Sequence, residues 1–123
     1  MGITKTGYYE RKRWGENSTK NKVSKIYSDP LFRLAELYLN YAEAANEAYG
    51  PNTPAPGATL SSVAAINLIR ARVDQIPVLA SNTMSTDAFR PRIKNERHIE
   101  LSWEGNYYHD LHRWKGATAV NSS

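Results

Sequence analysis

Glu96, Glu100 and Glu104 recur four residues apart, and all three histidines of the chain, His98, His109 and His112, lie in the same stretch, NERHIELSWEGNYYHDLHRW. Two chemistries suit such residues. Carboxylates at i and i+4 on one helix can share a site for general acid–base work, as in glycoside hydrolysis. Imidazoles at i and i+3, as in His109 and His112, can face one zinc ion. Each chemistry lacks a partner here. The metalloprotease pattern HExxH is absent, and His98 falls on the polar side of its helix, so no third metal ligand is apparent. Hydrolases place their carboxylates around an open cleft, whereas arginines stand ready here to keep these glutamates ionised.

A helical wheel decides where the glutamates point. With Ile93 at 0°, Glu96, Glu100 and Glu104 fall at about 300°, 340° and 20°. Phe89, Trp103 and Ile99 lie on the same side, so the carboxylates sit among apolar side chains. Buried charge without a partner is expensive. The complement is on the preceding helix: with Val63 at 0°, Arg70 falls near 340°, inside the arc of Ile66, Ile69 and Val73, while Arg72 falls on the far side. The expectation is a structural ion network joining Arg70 to Glu96, Glu100 and Glu104, with Arg97 and Arg113 as further partners. By spacing, Trp103 pairs with Ile99 and Trp114 with Leu111 as core residues.

Four helices must position these groups. Asp29 and Pro30 read as a cap and first turn for a helix ending at Gly50. Its apolar arc, Leu31 to Ala48, is wider than an ordinary surface helix needs, which calls for neighbours on at least two sides. PNTPAPGAT (51–59) is a loop. A second helix spans about Ser61 to Val73. A third, capped by Ser85 or Thr86, runs from about Asp87 to Glu104, with Pro91 either kinking it or delaying its start. Gly105 breaks it, and a fourth covers about Tyr107 to Lys115. The fold class is therefore all-α, with tetratricopeptide-like helical hairpins over 29–116, an extended arm over 1–28 and a frayed tail over 117–123.

Composition excludes several classes. The 123 residues suffice for one modest core, and the absence of cysteine removes disulfides and thiolate chemistry. No Gly-rich phosphate loop or nucleophile elbow is present, and no cofactor is expected. No apolar run reaches the roughly 20 residues of a membrane span. The net charge of +4 belongs to the first 28 residues, which hold seven basic and two acidic side chains. That arm also carries Tyr8, Tyr9 and Trp14, the best-placed aromatics for surface stacking and the weak candidates for ligand binding. Nucleic acid is not the expected partner, although a basic arm reaching an acidic partner from an independent helical adaptor is the alternative reading.

Three ordered stretches carry a resemblance: RLAELYLNYAEAANEAYG (33–50), AAINLIRARVD (64–74) and NERHIELSWEGNYYHDLHRW (95–114), preceded by TGYYERKRW. Together they resemble the C-terminal helical region of the SusD/RagB family. Glu96, Arg97, Glu100, Glu104, Gly105, Asp110, Arg113 and Trp114 match that family's ER…EL…EG…DL.RW signature, and Asn67, Arg70 and Arg72 match its N..R.R element. Asn106 departs from it, standing near the place of a usual arginine. The resemblance implies a non-enzymatic, cell-surface nutrient- or glycan-binding lipoprotein of the Bacteroidetes outer membrane that partners a TonB-dependent transporter. It further implies that this chain is a C-terminal portion serving as helical scaffold, with exposed faces open to self-association.

Overall fold

The computed structural model describes residues 31–78 and 84–115. The chain divides after Leu31, and the unit that starts at Phe32 holds all the helices described below. The extended arm with Tyr8, Tyr9 and Trp14, the Asp29–Pro30 helix start and the tail lie outside the described residues. The four helices are α1 (Leu34–Tyr49), α2 (Ser62–Ala71), α3 (Thr86–Glu100) and α4 (Asn106–Arg113). No strand occurs among the described residues.

Each helix end has a local cause. α1 is rich in Leu, Ala and Glu, strong helix formers. It stops at Gly50, whose φ of 83° suits a residue without Cβ and whose N–H reaches the Asn46 carbonyl at 3.0 Å. Its start differs from expectation. Leu31 and Phe32 are exposed and outside the helix, and the N-cap is Arg33, without a side-chain cap bond. Ser61 caps α2 by accepting from the Ala64 N–H, and Ser85 caps α3 by accepting from the Ala88 N–H, both at 3.2 Å. Pro91 neither delays nor ends α3, which begins five residues earlier and runs on to Glu100. α3 ends four residues sooner than its sequence pattern suggested. Leu101 turns into the core, and Trp103 adopts a φ of 66°.

Pairwise contacts give the topology. Ser62 Oγ donates to the Ala42 carbonyl at 2.6 Å, and Ile69 packs near Ala35 and Leu39, so α1 and α2 run antiparallel. Asn46 Nδ2 donates to the Thr86 carbonyl at 3.1 Å while Arg97 Nη1 reaches Asn40 Oδ1 at 2.6 Å, so α1 and α3 are antiparallel too. Lys94 lies over the Trp114 ring, Arg97 meets Asp110, and His98 stacks on Tyr107, which makes α3 and α4 a second antiparallel hairpin. α1 is central and packs on both α2 and α3, as its wide apolar arc requires. The core joins Ala42, Ala65, Ile66, Phe89 and Ile93, with a second cluster of Ala35, Leu39, Ile69 and Leu101. Burying each large member contributes about 1.5–3 kcal/mol. Small alanines on α1 let the neighbouring backbones approach closely.

Candidate functional site

The three glutamates of the signature gather on one seam, between the C-terminal halves of α2 and α3 and the start of α1. Glu96 accepts from Arg70 Nη1, the pairing the wheel predicted. Glu100 accepts from Arg33 Nη1 and from Arg72 Nη2, each at 2.5 Å. Glu104 accepts from Arg33 Nε, at 2.8 and 3.0 Å to its two oxygens. The glutamates are thus clamped by three arginines rather than by Arg70 alone. Arg72, placed by the wheel on the far side, reaches Glu100 because a long arginine can lay its stem along the surface and turn its head inward. Arg33 escaped the sequence reading. It precedes α1 in extended conformation, and no helical period points from it to a residue 67 positions away.

Arg97 and Arg113 do not partner these glutamates, contrary to expectation. Arg97 is buried and donates through Nε to Asp110 Oδ2 at 2.5 Å, with only 7% and 6% of the two side chains exposed. Arg113 grips Glu43 in a fork, at 2.6 and 2.8 Å, and also meets Asp110 at 3.0 Å. Trp114 Nε1 donates to the same Glu43 at 2.8 Å. Trp114 is half-buried under Lys94, but Trp103 is 68% exposed and Ile99 59% exposed, so that pair is not core. The early end of α3 carries Trp103 off the apolar face. Asn67, from the N..R.R element, brackets Val78 by donating to its carbonyl at 3.2 Å and accepting from its N–H at 2.7 Å, which ties down the chain leaving α2.

The electrostatics reflect these contacts. Burial alone would push the Glu100 carboxyl up, but hydrogen bonds from Arg33 and Arg72 hold it below the usual carboxylate range. Burial opposes ionisation of Glu43 likewise, and bonds from Arg113 and Trp114 overcome it. A lowered pKa in the folded state means that the unfolded chain binds the proton more tightly. The stabilisation from Glu100 is therefore complete above about pH 5.5 and is lost as pH falls through about 4.5 and below, the ordinary glutamate range and the depressed folded one. Urea midpoints measured at pH 7 and pH 4 should fall with acid, and Glu100→Gln should reduce that fall. An unchanged pH dependence in the variant would show that Glu100 is not its source.

This arrangement suits holding helices together more than chemistry. A general acid must keep a proton near neutrality, whereas Glu100 is held ionised by two cations. Ile69, Arg70, Val73, Glu96, Ile99 and Glu100 line a cleft of about 250 Å³, and its charged members are all paired, Arg70 with Glu96 and Glu100 with Arg33 and Arg72. His98 and His112 lie against tyrosine rings at 4.3 and 4.5 Å. Among the described residues, no group of three His, Asp or Glu side chains is placed to hold a metal ion.

The model of the SusD family matches residues 1–122. No curated protein and no solved structure gives a significant match.

Proposed function

The chain belongs to the SusD family, and from that membership we propose that it supplies helical scaffold to a nutrient- or glycan-binding protein on the outer face of the outer membrane, working with a TonB-dependent transporter and catalysing no reaction. The observation that carries the scaffold reading is the commitment of the signature carboxylates to arginines of the same chain. Glu96, Glu100, Glu104 and Asp110 each accept from an arginine of the same chain, so the motif joins helices instead of facing a substrate. The binding and transport parts of the proposal rest on family membership. No described helix is long and apolar enough to cross a membrane.

The test separates scaffold from chemistry. Glu100→Gln should cost about 1–3 kcal/mol of stability through its weakened arginine contacts. Retention of the tagged chain by a TonB-dependent transporter, and any heat of oligosaccharide binding, should then fall only as far as the folded fraction falls. Oligosaccharide hydrolysis by the wild-type chain that Glu100→Gln abolishes, with circular dichroism unchanged, would overturn the scaffold reading in favour of an acid–base site.

A further inference from the structure

α4 is attached unlike the other helices. Its one buried residue is Asp110, while Tyr107, Tyr108, His109, His112 and Arg113 are all exposed. α1, α2 and α3 share the apolar core, and no residue of α4 belongs to either core cluster. What holds α4 is a polar clasp. From α4 and its C-cap, Arg113 and Trp114 converge on Glu43 of α1, and Asp110 meets Arg97 of α3. Lys94 of α3 covers the Trp114 ring at 4.7 Å, and His98 stacks on Tyr107.

The other end of α4 has a pivot. Leu101 is anchored in the core, and Glu104 is held by Arg33, so the chain is fixed up to that point. Gly105 comes next, in the left-handed region at φ 81°, with nothing within 4 Å of where a Cβ would stand. It has no side chain to cap α4. Rotation there meets little steric resistance.

We propose that α4 is a latched segment that opens as a unit about Gly105 while α1–α3 stay folded, and that the Glu43 and Asp110 carboxylates are its catch. Opening uncovers Arg97, Asn40 and Glu43, polar groups that water can solvate, together with the half-buried Leu111 and Trp114, and leaves both core clusters intact. Acid is the natural trigger. Glu43 faces Arg113 and Trp114 from the α4 side, feels the charge of Arg97 on α3, and has Glu47 one turn along on its own helix. Asp110 faces Arg97 and Arg113. Protonating Glu43 leaves the Arg113 fork uncompensated, and α4 is released toward solvent.

Hydrogen exchange read by mass spectrometry on the full chain tests the latch. At pH 7, Glu43→Gln combined with Asp110→Asn should lower protection of a peptide covering 106–115 by about tenfold or more. Peptides within α1 and α2 should keep their wild-type protection. Arg113→Ala, which removes an exposed residue and the fork on Glu43, should act in the same direction more weakly and keeps the test decisive if the double variant fails to fold. Wild-type chain at pH 4, corrected for intrinsic exchange, should lose more protection over 106–115 than over α1 and α2, where the loss reflects only the weakened Glu100 contacts. Protection that falls together in α1, α2 and α4 in Arg113→Ala and in acid would overturn the proposal, as would protection of 106–115 that none of these changes alters.

Discussion

Glu100→Lys is expected to lower the free energy of unfolding by about 3–5 kcal/mol, the range for breaking a buried pair by altering one partner. Two contacts disappear, those from Arg33 and Arg72, and an ammonium enters a seam already holding two guanidiniums. The side chain of Glu100 is only 17% exposed, so water screens this repulsion poorly. Arg72 is the place to restore the balance, because it is 56% exposed and tolerates change. Adding Arg72→Glu to Glu100→Lys should recover about 1 kcal/mol, within the coupling range for residues in contact. Urea unfolding of the single and double variants measures both numbers. A double variant no more stable than Glu100→Lys alone would show that the Arg72 contact contributes nothing.

Phe89→Ala is the second large effect, expected at about 3–5 kcal/mol. Phe89 is fully buried and belongs to the cluster that joins Ala42 of α1 with Ala65 and Ile66 of α2 and Ile93 of α3. Its truncation opens a void where three helices meet, and the rigid neighbouring backbones can collapse into it only partly. A domain of this kind has about 5–15 kcal/mol in total, so the variant should sit near the edge of folding. With an m-value of about 1–3 kcal/mol per molar urea, the midpoint should drop by about 2 M. Leu37→Ala, at a position 58% exposed on α1, is the control and should stay within about 0.5 kcal/mol of wild type. A comparable loss at Leu37 would mean that the outer face of α1 is covered by something the core does not explain.

How much of the fold and the seam was legible in sequence depends on the range of each signal. Helical periodicity is local and strong, so the four helices could be read directly, and so could Ser85 as one of two candidate caps for α3. The same wheel set Arg70 against Glu96, because both lie on the inward faces of neighbouring helices. It failed for Arg72, since an angle gives the direction of Cβ and ignores the reach of a flexible side chain. It failed for Arg33 because that residue precedes its helix. Trp103 was misplaced for a third reason. Extending α3 to Glu104 kept the period running through residues that turn away, and the positive φ at Trp103 has no signature in a residue type that seldom adopts it. That Arg97 and Arg113 take Asp110 and Glu43 as partners belongs to packing alone, because it depends on how α4 folds back over α3.

Apart from Leu39, the buried apolar residues of α1 are alanines, at positions 35, 42 and 45, and small methyl knobs offer little resistance to sliding. The polar contacts supply what the alanines lack. Arg33 with Glu104, Asn40 with Arg97, Asn46 with the Thr86 carbonyl and Glu47 with Arg90 form a ladder down the whole length of the two helices. A slip of one turn, about 5.4 Å, would mismatch every rung together and strand Arg97 without its amide. The ladder therefore acts as a vernier that selects one alignment out of several with similar apolar contact. Exchange of a single rung during evolution is costly, whereas exchange of both ends together preserves the alignment.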